Sequence, residues 1–337
     1  MIDIVLLTLL SAVAIAIIRM KDLFAVVMLS GIYGLLSASF FVAMDAVDVA
    51  FTEAAVGAGI STLLMLVVIT ITGRSEKTTR HNPFPALLII IITGGLLIYG
   101  TLDMPYFGSA DAPIHNHVAP RYINDSMQEI GIVNIVTSIL ASYRAFDTFG
   151  ELVVIFTAGI GVLALLSIVR RPVDDDKIAC INYSMHEQHL VVRIVTKMLI
   201  PFILLFALYV QFHGDFGPGG GFQAGVIFAA AIILYAMLFG LSSARIVINQ
   251  PFIQLISAAG VLLYSCVGLV SLLNGGNFFD YNFLSNDPIA GQHLGILLIE
   301  WAVGCTVASV MIIIFFNFAD YREMLQSNKH KYNQESS

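Results

Sequence analysis

The chain has 337 residues, of which 58% are hydrophobic and 12% charged, with a mean hydropathy of +0.87. A soluble globular domain carries about 25% charged residues, so the composition excludes one and places the chain in a bilayer. The formal net charge of -7 then says less than where the charges fall along the chain.

A helix crosses ~30 Å of hydrocarbon with about 20 apolar residues. Nine runs qualify: 2–18, 22–43, 48–72, 84–101, 147–169, 190–212, 220–240, 252–274 and 291–318. They are continuously apolar and do not alternate, which excludes a closed barrel. The fold class expected is an all-α integral membrane protein of about nine transmembrane helices. No small-residue cleavage site follows the first run, so it reads as a retained span and not a signal peptide. With the N-terminus outside and the C-terminus inside, 14 of the 16 Lys and Arg residues fall on the inner side, and only Arg121 and Arg144 fall outside. That is the positive-inside pattern. Acidic residues including Asp45, Asp48, Asp103, Asp215, Asp280 and Asp287 gather on the outer side, where ordinary loop solvation is the plain alternative to a cation-attracting rim. Cys180, Cys266 and Cys305 are far apart and suggest neither a disulfide framework nor a metal site.

Polar residues inside spans are costly and are functional hypotheses by default. Glu53 stands near the outer end of the third span, in "DVAFTEAAVGAGIST". Gly57 and Gly59 follow it, allowing either close packing or a departure from ideal helical winding. The outer connection 102–146 is too long for a plain turn. Its second half, "SMQEIGIVNIVTSILASYRAF", has helical apolar spacing and is expected to form an amphipathic or lateral helix. Asp147 and Glu151 then sit i, i+4 and share a helix face. Asp147 also has the position of an N-cap, a role open to it and not to Glu151. The polar inner loop 170–189 is the best boundary between modules. In the sixth span Arg193 and Lys197 are positioned to snorkel or, for the deeper Lys197, to join an ion path. Glu300 lies about nine residues into the last span, ~13 Å deep at about 1.5 Å per residue. A carboxylate there pairs, meets water or stays protonated. His293 lies two turns earlier on a similar face.

Between the sixth and seventh spans stands "HGDFGPGGGFQAG". It is not a phosphate loop, since no Gly-Lys-Ser/Thr follows and no strand precedes it. Pro218 stands where a helix starts, and Gly219, Gly220 and Gly221 permit tight turning and close backbone packing. The helix N-terminus is able to cradle a carboxylate or carbonyl. His213 and Asp215 are polar groups at its lip, able to relay protons. A purely structural corner is the alternative.

These stretches carry a family resemblance. "HGDFGPGGGFQAGVIFAAAIIL" resembles the signature of the B-type subunit of Mrp (Mnh) multisubunit Na+/H+ antiporters, over residues 190–320. In that family a His commonly stands three residues before the Pro; here Asp215 occupies the place and His213 lies two earlier. "DVAFTEAAVGAGISTLLMLVVITITG" resembles the DUF4040 module at the C-terminal end of the large A-type subunit, and "YRAFDTFGELVVIFTAGIGVLALL" resembles the E-type subunit of membrane-bound hydrogenases. The implied organisation is a DUF4040-like module (1–101), an amphipathic segment with a helix like that of the hydrogenase E-type subunit (102–175), a B-type domain (190–320) and a polar cytoplasmic tail (321–337).

The resemblance implies a subunit of a bacterial inner-membrane Na+/H+ antiporter complex related to the membrane arm of respiratory complex I. It implies ion-path roles for Glu53, Asp147 and Glu151, and a π-type bulge near Gly57 and Gly59. The implied partners are large A- and D-type and small C-, E-, F- and G-type subunits and membrane lipid, with no nucleic acid. No catalytic residue, metal site or cofactor is expected, only transported Na+ and H+. A redox-driven pump module and a structural scaffold are the alternatives.

Overall fold

The computed structural model describes residues 1–76, 84–106, 108–167 and 190–335, without the side chains of Ser167, Leu190 or of residues after 326. The expected boundary loop 170–189 lies outside the described residues, as do Lys77, Arg80, Arg170, Arg171 and Lys177. Nine helices among the described residues are long and apolar enough to cross a membrane, in agreement with the count from composition.

In chain order these are α1 (Ile2–Arg19), α2 (Leu23–Ala43), the third span, α5 (Phe84–Thr101), α10 (Ala145–Ser167), α11 (Leu190–His213), α12 (Gly221–Phe239), α14 (Gln250–Leu273) and α15 (Pro288–Glu335). Four short pieces precede α10: α6 (Pro113–Asn116), α7 (Ala119–Asn124), α8 (Ser126–Glu129) and α9 (Ile135–Thr137). A further short helix, α13 (Leu241–Val247), follows α12.

The third span is composite: α3 (Val47–Glu53), a π-helical stretch Ala54–Ser61, then α4 (Thr62–Thr72). The π winding falls on the glycines. The Thr62 hydroxyl donates to the Gly57 carbonyl at i−5, 3.2 Å. α2 presses on this stretch through small residues, since a Cβ built on Gly34 would lie 2.9 Å from the Ala58 nitrogen. The α1–α2 connection meets the end of α4, where the Leu23 amide donates to the Arg74 carbonyl at 2.8 Å and Arg74 pairs with Asp22. This puts both basic connections on one face of the bundle.

The centre of the bundle is α15, and the sequence shows why. Its stretch "AVGCTVASV" is rich in small residues, which let helices approach closely in a membrane. Its neighbours answer with glycines. A Cβ on Gly225 of α12 would stand 2.7 Å from the Gly304 carbonyl oxygen, and one on Gly260 of α14 would stand 2.7 Å from that of Ala302. On α10, a Cβ on Gly159 would touch Val310 at 3.1 Å. Ala302, Thr306, Val307 and Phe316 have no exposed surface. By contrast α5 has no buried residue, and nothing lies within 4 Å of where a Cβ would stand on Gly94, Gly95 or Gly100.

The expected amphipathic helix is corrected in one respect. Residues 126–146 are not one helix. Gly131 adopts φ +82°, a conformation that breaks an α-helix. The chain restarts at Asn134, whose side chain accepts from the Val136 amide as an N-cap. It then winds as a second π-helical turn, Ser138–Tyr143, before α10.

Candidate functional site

The glycine stretch folds into a loop that closes over the last span. Pro218 does not start the helix; α12 begins at Gly221, and Gly220 before it has φ +113°. A Cβ on Gly214 or Gly220 would lie 3.0 or 3.1 Å from Oε1 of Glu300, and one on Gly221 would lie 2.1 Å from the Glu300 carbonyl oxygen. The glycines are absent side chains, and the space they leave is filled by Glu300.

Asn134 clamps this loop. Its Nδ2 donates to the carbonyls of Gly214 and Gly217, both at 3.0 Å, and its backbone N–H donates to the Asp215 carbonyl at 3.0 Å. The Thr137 hydroxyl adds a bond to the Gly214 carbonyl at 2.7 Å. From the third span, Asp48 Oδ1 accepts the Gly219 amide at 3.3 Å, and Thr52 Oγ1 accepts from Gln223 Nε2 at 2.8 Å. Asn134→Ala removes the clamp at a cost of ~1–3 kcal/mol. Hydrogen-exchange mass spectrometry is expected to show faster exchange over residues 213–221 and little change in α14.

Beneath the loop lies a cavity of about 510 Å³. Three carboxylates from three segments reach it: Asp48 of α3, Glu151 of α10 and Glu300 of α15. Thr52, Thr137, Thr148 and Gln223 add oxygen and amide groups, and Gly219, Gly220 and Gly221 form part of its wall. Glu300 makes no hydrogen bond or ion pair with the described residues.

The other expected site residues go elsewhere. Glu53 folds back against Gly57 and Gly34, its Oε1 2.4 Å from a Cβ built on Gly57, and it does not line the cavity. Asp147 shares a helix face with Glu151 but pairs with Arg144, Nε to Oδ2 2.6 Å, and makes no N-cap. Lys197 is exposed on the outer surface of α11. Arg193 lies over the Phe239 ring at 5.0 Å. His213 stacks on Tyr209, centroids 4.9 Å apart, and faces a separate groove of about 470 Å³ between α2, α3 and α11. Asp215 sits outside the spans at the loop tip; burial pushes its carboxyl up, and the His293 imidazole opposes that. His293 turns towards Gly131 and away from the Glu300 cavity.

A second, polar cavity of about 760 Å³ lies on the far side of the Ser138–Tyr143 turn, among Arg121, Glu129, Asp280, Asp287 and Gln292. The Ser142 hydroxyl donates to Gln292 Oε1 at 2.7 Å. Tyr143 donates to Glu129, which Arg121 also holds at 3.0 Å. The Tyr143 hydroxyl pulls the Glu129 carboxyl below its ordinary value. Burial, then Glu129 itself, pushes the Tyr143 phenol up to about 12. A depressed carboxylate loses its stabilisation as pH falls, and a raised phenol loses it as pH rises. The stabilisation is therefore full from above the carboxylate range to about pH 10 and is lost as pH rises through about 12.

Thr52, Asn134 and Gln223 are site residues that sequence reasoning did not single out, and Asp48 was named only within the outer acidic rim. Asp48, Thr52 and Gln223 stand near the ends of spans and Asn134 stands in the outer connection, places where a polar residue is ordinary.

The comparisons with known proteins follow the same three segments. The family described as "Domain related to MnhB subunit of Na+/H+ antiporter" matches residues 191–313, and the families of the D and E subunits of MBH match residues 8–74 and 88–182. The putative antiporter subunit mnhB2 of Staphylococcus aureus is 30% identical over 141 residues, 41% of this chain and 99% of that one. An uncharacterised protein of Methanocaldococcus jannaschii is 25% identical over 180 residues, 50% of this chain and 67% of that one. Among solved structures, a chain of the Mrp complex from Dietzia sp. superposes with a TM-score of 0.73 at 24% identity. The match covers 93% of this chain but 34% of that one, and it shows the fold alone. A chain of the archaeal membrane-bound sulfane sulfur reductase superposes at 0.52 with 27% identity, covering 69% of this chain and 96% of that one. An MnhB domain that covers a whole curated relative, preceded by segments of the D and E kinds, places the chain: it belongs to the MnhB-related family of Na+/H+ antiporter subunits, as a fused, multi-pass membrane member.

Proposed function

We propose that the chain is an ion-translocating subunit of a monovalent cation/proton antiporter complex related to the membrane arm of complex I, working with the large antiporter-like and small subunits of that complex. The observation that carries this is the cavity joining Asp48, Glu151 and Glu300 across the D-like, E-like and MnhB segments. Intramembrane carboxylates beside hydroxyl and amide oxygens suit both protons and a hard monovalent cation. Protonation of Glu151 and Glu300 excludes the cation, and ionisation admits it. The charge distribution along the chain sets the second, polar cavity on the outer side. The chain is a transporter component with no chemistry of its own on a substrate, and Na+ and H+ are cargo.

The test is exchange in inverted vesicles carrying the whole complex, following collapse of a pH gradient on addition of Na+. Glu151→Gln and Glu300→Gln are each expected to lower exchange by roughly tenfold or more, with assembly intact on native gels. Lys197→Ala, on the outer surface of α11, is expected to stay near wild type. Full exchange in both carboxylate variants would sink the proposal and leave a scaffold. The likeness to the sulfane sulfur reductase supports a second reading, a redox-coupled module. Exchange driven by a pH gradient alone, with no electron donor, decides against it.

A further inference from the structure

Two glutamines flank Glu300, and their hydrogen bonding is complementary. Gln223 has its amide orientation fixed by a chain of bonds. The Thr52 hydroxyl donates its only proton to the Asp48 carbonyl at 3.0 Å, so towards Gln223 it acts as acceptor, and Gln223 Nε2 donates to it at 2.8 Å. The Gln223 Oε1 is left as an acceptor. A Cβ built on Gly220 would lie 3.8 Å from that oxygen and 3.1 Å from Glu300 Oε1, so both face the same bare glycine.

Gln211 is the opposite case. It is 7% exposed, and its Nε2 is buried with no partner. A buried N–H without an acceptor is costly and calls for an explanation. Its Oε1 would lie 2.6 Å from a Cβ on Gly304, one helical turn along α15 from Glu300. Residues i and i+4 of a helix have Cβ atoms about 5–6 Å apart, so the unpartnered amide stands one turn from Glu300 on the same side of α15. Gly214, three residues after Gln211 and just past the end of α11, is the glycine whose Cβ would meet Glu300 Oε1 at 3.0 Å. Gln211, at the end of α11, and Gly214, in the loop that follows, thus both lie on the side that meets α15 around Glu300.

We propose that Gln211 and Gln223 form a two-position switch for the Glu300 side chain. Ionised Glu300 accepts from Gln211 Nε2; protonated Glu300 donates to Gln223 Oε1. The bare glycines Gly214, Gly220 and Gly304 leave the room for the swing. Through Gln223, Thr52 and the Asp48 carbonyl, the protonated position connects to α3, immediately before the π-helical stretch. Both glutamines act through Glu300 and are positioning residues. The inference rests on the transport reading for its purpose but not for its test.

The titratable groups around Glu300 are Glu151 on α10 and Asp48 on α3 across the cavity and Asp215 in the loop; Tyr264 of α14 stands beside Glu151, and His293, two turns earlier on α15, turns towards Gly131. The α14 face against this helix presents Ser257 and Gly260 and carries no charge. None of these groups changes in the test.

The experiment is pH-titrated infrared difference spectroscopy of the full chain in its complex, reading the stretch of the protonated carboxyl, with Glu300→Gln identifying the band. Gln211→Leu deprives the ionised form of its donor, and the midpoint at which the band disappears is expected to move up by about one pH unit. Gln223→Leu deprives the protonated form of its acceptor, and the midpoint is expected to move down by about as much. The double variant is expected to return towards wild type, which a general loosening of the bundle does not produce. Gln211→Met and Gln223→Met stand in where a leucine variant does not assemble. Midpoints that stay put, or that move in the same direction, overturn the switch, as does a Glu300→Gln variant that removes no band. Opposite shifts with exchange indifferent to both Glu300→Gln and Glu151→Gln leave the switch standing and overturn the ion-translocating reading instead.

Discussion

Gly221→Val is expected to abolish accumulation of the folded chain. Even one Cβ at this position would lie 2.1 Å from the Glu300 carbonyl oxygen and 3.0 Å from the Gly304 nitrogen. These are backbone atoms in the middle of α15, the helix on which α10, α12 and α14 all pack. They do not step aside as the end of a flexible side chain does. Overpacking a tight interior costs ~1–3 kcal/mol and sometimes more, and here the two further carbons of valine enter the narrowest helix crossing around Glu300. Separation of α12 from α15 also opens the Gly225–Gly304 contact one turn further on. Detergent-solubilised chain, followed by size-exclusion chromatography and a thermal melt, is expected to show loss of the monodisperse peak. Gly94→Ala and Gly95→Ala on α5 are the matched controls. Nothing stands within 4 Å of either Cβ, and glycine inside a helix is destabilising by roughly 0.5–1 kcal/mol relative to alanine. Those two variants are expected to melt at or above the wild-type temperature. A Gly221→Val chain that behaves like the α5 controls would falsify the close-packing role of the glycine motif.

The contrast between these glycines explains what the sequence made legible. The spans were readable because each is a local property: length and continuous apolarity decide them. Glu300 and Glu151 were readable because depth in a span makes a carboxylate exceptional. The role of "HGDFGPGGGFQAG" was not, because its partner stands about 80 residues later in another helix. A glycine that accommodates a neighbour and one that faces lipid look the same in one chain. Asp48, Asn134 and Gln223 escaped for a related reason. Their bonds run across 80 to 171 positions of sequence, while their own surroundings are those of ordinary span ends and an outer connection. Asp147 misled in the other direction. The i, i+4 spacing to Glu151 is real, but the helix begins only two residues earlier, and Arg144 in the preceding turn captures the first carboxylate. The lateral helix failed at Gly131, whose positive φ no apolar periodicity announces.

The second large effect is expected from Val303→Trp. Val303 is three residues beyond Glu300 on α15, is 8% exposed, and lines the carboxylate cavity. The cavity has about 510 Å³ of space, so an indole at this position has somewhere to go without pushing α12 or α10 aside. It takes the room for water through which the proposed path would let Glu151 and Glu300 exchange protons. A carboxylate cut off from water neither loses its proton nor admits a cation, and hydrophobic constrictions close ion paths by dewetting. Exchange by the assembled complex in inverted vesicles is expected to fall roughly tenfold or more. Val303→Ala enlarges the same space and is expected to keep exchange, at the cost of some thermal stability. This pair separates the two roles left for the chain more sharply than neutralising a carboxylate does. A change of Glu to Gln alters charge, hydrogen bonding and ion affinity together, whereas Val303→Trp leaves every polar group in place and removes only room. If the complex assembles and exchanges ions at the wild-type rate with the cavity filled, ions do not pass here. The buried carboxylates are then structural, and the chain serves as the frame on which other subunits carry the transport.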